Sequence, residues 1–169
     1  IEAGPERILP SCPLHFDPSR PGPACGGCDW QQLNYQAQLK HKREIVRDCL
    51  VRIAKLKDVP LGETIASPQQ WGYRNKVQIP FGPGRRGSGK PIAGFYASGS
   101  HDIVDFEACP VQPELSMRVA RKIKDFAAKW NWPIYEEDRR RGWLRHLYLR
   151  TNSAGQALAA LVTNSRDFP

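Results

Sequence analysis

The hydrophobic period changes along this chain, and that change limits the folds open to it. From Leu33 the apolar residues Leu39, Val46, Leu50, Ile53 and Leu56 recur at steps of seven, four, three and three, with Ile45 and Cys49 beside them. That spacing predicts one face of an amphipathic helix over residues 33–57. In "WGYRNKVQIPF", which starts at Trp71, the period becomes two: Tyr73, Val77, Ile79 and Phe81 point one way, Arg74, Lys76 and Gln78 the other. A strand with a basic face is predicted there. A helical repeat cannot satisfy a sheet, nor an alternating repeat a helix, so the chain must combine both.

The remaining segments extend this reading. "IAGFYA" and "DIVDF" are predicted strands after a glycine-rich connection, "GPGRRGSGKP". The run "PELSMRVARKIKDFAAKW" spaces Leu115, Val119, Ile123 and Phe126 as a helix does, with proline at its first turn. "WLRHLYLRT" and "QALAALVT" are two further strands joined by the short turn "NSAG". Strand, strand, strand, helix, strand, strand predicts an α+β fold with a largely antiparallel sheet and two main helices. Residues 1–24, rich in proline and polar side chains, carry neither period and read as a loop that must be pinned elsewhere. The other side of the first helix, with Lys40, Lys42, Arg43, Arg47 and Arg52, is expected to be a solvated basic face.

Composition narrows the function classes. A chain of 169 residues can bury one core without disulfides or a metal to hold it together. Its 25 Lys+Arg against 17 Asp+Glu, a formal net charge of +8, favour a polyanionic partner, although charge alone does not select nucleic acid. No apolar run is long enough to span a bilayer, and "IEAGPERILP" lacks the order of a signal peptide. Five cysteines, an odd number without the dense spacing of a secreted scaffold, point to a reducing, cytoplasmic home.

Two motifs carry possible chemistry. Gly84, Gly89 and Lys90 match G-x-x-x-x-G-K, but Pro91 stands where a magnesium-binding Ser or Thr is needed, and a strand rather than a helix follows. The segment is therefore read as a basic hairpin whose Arg85, Arg86 and Lys90 could touch a nucleic-acid backbone. In "PACGGCDWQQ", Cys25 and Cys28 are spaced to bring two thiolates to one metal, with Gly26 and Gly27 easing the turn. Two ligand sets are open. Cys12 and His15 of "CPLH" complete a zinc ribbon with the pair, or Cys12 and the distant Cys109 of "ACPVQP" complete a four-thiolate iron–sulfur site. Spacing slightly favours zinc; the proline after Cys109 favours iron and sulfide.

The ordered set "CPLHF", "CGGCDWQQLNYQAQLKHKREIV", "WGYRNKVQIPF", "GFYASGSHDIVDFEACPVQP" and "LRHLYLRT" resembles the iron–sulfur-containing branch of the RNA 5-methyluridine (uracil-C5) methyltransferase family over nearly the whole chain. The resemblance implies that Cys12, Cys25, Cys28 and Cys109 hold a [4Fe–4S] cluster in an N-terminal loop. It places Cys49 outside the site; on the apolar stripe of the helix that residue is expected to be a buried small hydrophobe. The spacer between Cys12 and Cys25, "PLHFDPSRPGPA", is longer than the family's. Doubling a loop adds only about 0.6 kcal/mol of closure entropy, so Cys12 is kept as a ligand.

Family members transfer a methyl group from S-adenosylmethionine to uridine C5, using a nucleophilic cysteine and a base in a later doubly wound domain. None of those motifs occurs here, so no catalytic residue is expected in this chain, and S-adenosylmethionine enters only through that absent domain. The N-terminal TRAM barrel usual in the family is likewise expected to lie outside this sequence. The implied organisation is a linker and cluster loop over 1–32, a helix over 33–57 that packs on the catalytic domain, and a central RNA-binding domain over 58–169. The expected partner is structured RNA, large-subunit (23S) ribosomal RNA first and transfer RNA as the variant. Arg74, Lys76, Arg85, Arg86, Lys90, Arg145 and His146 are the candidate contacts. Self-association through the uncovered helix is a further expectation. The other function class left open is a zinc-ribbon interaction module without activity.

Overall fold

The structure is a computed structural model and describes residues 4–84 and 90–167. Two compact units divide the chain: Ile1–Pro13 with Cys28–Pro68, and Leu14–Gly27 with Gln69–Pro169.

The smaller unit is organised by helix α1, Tyr35–Asp48. Asn34 caps it: its side-chain oxygen accepts the Ala37 N–H at 2.8 Å, satisfying one orphan donor of the first turn. The helix widens into a π-helical turn over Cys49–Ile53, and Lys55 (φ 57) enters the left-handed region that halts a helix. Polar contacts tie the flanking segments to α1. Glu6 meets His41 at 2.7 Å and Lys40 at 3.6 Å, and the Thr64 hydroxyl donates to the Leu39 carbonyl at 2.9 Å. Hydrogen bonding to His41 is the main cause that holds the Glu6 carboxyl below its ordinary value.

The basic face departs from the sequence-based expectation at one residue: Arg43 is half-buried rather than solvated, its guanidinium donating to the Leu61 and Gly62 carbonyls at 2.7 and 3.0 Å. Only Ala37 of α1 is buried, and Ile45, Val46 and Ile53 stand exposed, the uncovered apolar face that the sequence led to expect. The helical period correctly located the apolar stripe, but loops bound through polar groups cannot cover it.

The larger unit is a five-stranded antiparallel sheet in the order β3-β2-β1-β4-β5, made by β1 (Lys76–Gly82), β2 (Ile92–Tyr96), β3 (Ile103–Asp105), β4 (Leu144–Thr151) and β5 (Ala157–Thr163). Helix α2, Glu114–Lys129, joins β3 to β4. The α+β reading with a largely antiparallel sheet and two helices is what the structure has. Val77 faces Leu149 and Ile79 faces Leu147 across the β1–β4 ladder, and all four are buried with Met117, Ala120 and Ala127 of α2. Opposite residues of an antiparallel pair share a face, so this register assigns one whole side of the sheet to the core.

Two details depart from the pattern-based reading. Strand β1 starts at Lys76, leaving Tyr73 outside it and 55% exposed. Pro80 sits in the strand where the ladder to β4 ends, with Phe81 and Gly82 pairing to β2 instead, so its missing N–H falls at a change of partner. On α2 the buried residues are Ser116, Met117, Ala120 and Ala127, whereas Phe126 is 49% exposed. Val119 and Ile123 of the predicted stripe pack against the core, and the fully buried positions lie beside them on small side chains that let the helix approach the sheet closely.

Candidate nucleic-acid interface and cysteine motif

The alternation that buries Val77, Ile79, Leu147 and Leu149 turns Lys76, Gln78, Tyr148 and Arg150 to the opposite face of the sheet. Lys76 lies across from Arg150 and Gln78 across from Tyr148. Lys76, Gln78 and Arg150 are exposed and Tyr148 half-buried, with the Lys76 ammonium 6.0 Å from the Tyr148 ring centre. β5 continues this face through Leu158, Ala160 and Val162, all exposed. The result is an open sheet surface with two cations around an aromatic ring, bordered by small apolar side chains.

The sequence-predicted contacts divide on inspection. Lys76 is on this face. Arg74 precedes the strand and is half-buried; its guanidinium donates to the Gly27 carbonyl at 3.2 Å, so it braces the cysteine turn rather than facing a partner freely. Arg85 and Arg86 lie outside the described residues, and Lys90 beyond them is exposed. Arg145 and His146 occupy a register shift in β4, where Leu144 pairs with Thr163 but His146 with Val162. That bulge re-aims Arg145, whose guanidinium lies over the Tyr135 ring at 4.3 Å. Burial, and next the positive charge of Arg145, hold the His146 imidazole below its ordinary value against the opposing pull of Glu137. Arg150 and Tyr148 escaped the sequence reading, although they follow His146 at steps of two in "HLYLR", the signal that would have found them.

The cysteine motif is built by close backbone approach. Cys25 donates its N–H to the Leu14 carbonyl at 2.8 Å and forms an isolated bridge with Ala97; the Gly26 N–H reaches the Tyr96 carbonyl at 2.9 Å. A Cβ at position 26 would come 2.9 Å from that carbonyl oxygen, so glycine is required here. The Gly27 N–H points to Cys25 Sγ at 3.4 Å. Cys109 packs beside the sheet-and-helix core. In the other unit the Cys12 N–H donates to Gln31 Oε1 at 3.2 Å.

Cys12, Cys25, Cys28 and Cys109 are half-buried. Cys49 is exposed on the π-helical turn, which corrects the expectation that it is a buried hydrophobe. Four thiols are the right donor chemistry for iron and sulfide. Yet among the described residues no three or more His, Cys, Asp or Glu side chains are gathered as a metal site. His15 is buried, with Nδ1 3.2 Å from the Phe16 carbonyl oxygen.

No family model matches the chain. It is 37% identical over 170 residues to an uncharacterized RNA methyltransferase of Halalkalibacterium halodurans, covering 100% of the chain and 35% of that protein. An uncharacterized RNA methyltransferase of Clostridium tetani is 35% identical over 170 residues, with the same coverage. One of Gloeobacter violaceus is 36% identical over 167 residues, covering 98% of the chain and 35% of the relative. The chain thus spans about a third of the length of the curated relatives it matches. Among solved structures it is similar to the crystal structure of Pyrococcus abyssi tRNA (uracil-54, C5)-methyltransferase in complex with S-adenosyl-L-homocysteine. There the TM-score is 0.66 with 26% identity, over 94% of this chain and 34% of that one. Among the described residues no helix is long and apolar enough to cross a membrane.

Proposed function

We propose that the chain is the RNA-holding portion of an S-adenosylmethionine-dependent RNA (uracil-C5)-methyltransferase, working in the cytoplasm, with the open face of the sheet as its RNA platform. The observation that carries this is the pairing of Lys76 with Arg150 beside Gln78 and Tyr148 on a face that α2 leaves uncovered. Cations placed there neutralise phosphates, and an aromatic ring offers a base a stacking partner. The similarity to RNA methyltransferases, and to a uracil-C5 enzyme crystallised with S-adenosyl-L-homocysteine, supports the reaction class. Methyl transfer itself is assigned to residues outside this chain. The ribosomal substrate rests on the motif resemblance, whereas the solved neighbour, a tRNA enzyme, favours the transfer-RNA variant.

Binding of a 23S rRNA stem-loop and of a tRNA should weaken steeply with salt. At about 0.7 units of slope per neutralised phosphate, three or four contacts give a roughly 20- to 50-fold loss between 50 and 200 mM salt. Lys76→Ala and Arg150→Ala should each flatten the slope by about 0.7. Salt-independent affinity for both RNAs would remove this reading, and the tighter of the two identifies the substrate class.

Cys12, Cys25, Cys28 and Cys109 are the proposed ligands of a [4Fe–4S] cluster, supported by the motif resemblance and by four half-buried cysteines. Anaerobically purified protein should contain iron and sulfide, lose both in Cys109→Ser, and keep both in Cys49→Ser, where an exposed thiol is exchanged for a hydroxyl. Zinc retained in Cys109→Ser and released by His15→Ala would instead establish the zinc-ribbon set.

A further inference from the structure

A sheet edge presents a row of backbone N–H and C=O groups to any strand that meets it, and native proteins blunt such edges with short strands, charges or proline. The two edges of this sheet differ in that respect. β3 spans three residues and ends at Asp105, whose carboxylate meets the Lys124 ammonium at 2.8 Å. β5 spans seven residues, "ALAALVT", with neither charge nor proline. Both of its faces are open: Leu158, Ala160 and Val162 stand exposed on the side of Lys76 and Arg150, and Ala157 and Ala159 stand exposed on the side that α2 covers elsewhere.

Alternation of the backbone groups fixes what this edge offers. The Thr151 N–H donates to the Asn75 carbonyl at 2.8 Å, toward β1, and the Asn152 N–H to the Gln156 carbonyl at 3.1 Å, toward the other side. Successive residues of a strand bond to opposite neighbours, so His146, Tyr148 and Arg150 of β4 bond to β5, where Val162, Ala160 and Leu158 face them. The N–H and C=O groups of Ala157, Ala159 and Leu161 therefore point outward, and among the described residues no strand pairs with them.

Only an extended backbone satisfies such a row, and it must be uncharged and apolar on both faces to lie beside these side chains. Among the strands of the sheet, β5 alone combines that composition with a free edge. Paired with itself, antiparallel about a two-fold axis through Ala160, it sets Ala159 against Leu161, Leu158 against Val162 and Ala157 against Thr163. No charge faces another in that register.

We propose that β5 is a self-recognition edge, through which two copies of the chain join their sheets by this pairing. Opposite residues of an antiparallel pair share a face, so Lys76 and Arg150 of both copies come to one side of the joined sheet. The contact is isologous and closes on itself as a dimer. It does not rest on the RNA-binding reading above.

The test is sedimentation equilibrium of the full chain without RNA, up to about 1 mM so that a weak pair is visible. A monomer–dimer equilibrium is expected. Each copy carries a formal net charge of +8, so the dimer should tighten as salt screens that repulsion, opposite to the salt dependence of RNA binding. Ala159→Pro removes an outward N–H that the fold does not use, and the bond lost from each copy should weaken association by about 5- to 150-fold. Ala160→Lys and Ala160→Glu each place like charges on the axis, where opposite side chains come closest, and each alone should weaken the dimer. Their equimolar mixture should associate more tightly than either alone by about 2- to 30-fold, because an opposite-charge pair replaces a like one. Ala160 is exposed, so this pair reads the edge even if the proline variant unfolds.

A chain that stays monomeric to about 1 mM would overturn the proposal and leave the edge to another polypeptide. Masses rising past the dimer would overturn the two-fold pairing. Dimerisation lost in Val46→Lys, on the exposed stripe of α1, but kept in Ala159→Pro would overturn it in favour of the helix.

Discussion

Leu147→Ala should destabilise the sheet-and-helix unit by about 2 to 5 kcal/mol, the cost of removing a fully buried leucine side chain from a packed core. Leu147 is 0% exposed, pairs with Ile79 on one side and Leu161 on the other, and belongs to the cluster that includes Met117 and Ala120. No neighbour can close the gap without breaking two ladders, so the loss should fall in the upper part of that range. Leu158→Ala on β5 is the control. Leu158 is 60% exposed on the opposite face, and its truncation should stay within about 0.5 kcal/mol. Urea denaturation followed by circular dichroism compares the two. A Leu147 variant as stable as the Leu158 variant would mean that the core does not lie between α2 and this face of the sheet.

Gly142→Ala should cost about 3 kcal/mol or more and also displace the segment on which Arg145 lies. Position 142 has φ 113, a conformation that L side chains rarely adopt, and an added Cβ would run into the Ile134 carbonyl group and come 2.6 Å from Tyr135 Cα. Backbone strain of this kind costs about 1 to 3 kcal/mol by itself, and the overlap with main-chain atoms adds to it. The displaced segment carries Tyr135, on which Arg145 lies, so that contact should be lost along with the stability. Gly99→Ala separates the two effects: φ there is 71, but nothing lies within 4 Å of the new Cβ. It should show only the conformational penalty, about 1 to 2 kcal/mol. Equal losses at the two positions would show that the close approach of residues 134–135 to Gly142 does not hold in solution.

Much of the fold was legible because burial on one side of a sheet imposes a period of two that few sequences produce by chance. The expected strands at "IAGFYA", "DIVDF", "WLRHLYLRT" and "QALAALVT" contain β2 to β5 within a residue at either end. The turn "NSAG" closes as its composition suggests: Asn152 Oδ1 accepts the Ala154 and Gln156 N–H groups at 3.1 and 3.0 Å, and Gly155 takes φ 72. The candidate site was less legible. Of the predicted contacts, Lys76 lies on the open face and Arg145 and His146 at the β4 bulge, whereas Arg74 serves an internal carbonyl. A cation's type and strand position do not reveal whether a backbone acceptor lies within its reach.

What the sequence by itself determined is the set of segments and their periods: two helices, an alternating sheet with one apolar side, a proline-rich approach to a tight Cys-Gly-Gly-Cys turn, and an excess of positive charge. Those follow from local sterics and from the partition of side chains between water and core, both written residue by residue. Only the tertiary structure decided which stripe of α2 is buried, that Cys49 faces solvent, that Arg150 and Tyr148 join Lys76 on one surface, and that a bulge in β4 lays Arg145 over Tyr135. These depend on register and on the approach of segments far apart in the chain. Shifting a strand by one residue would exchange its two faces, and no local pattern records which backbone carbonyl a distant arginine will meet.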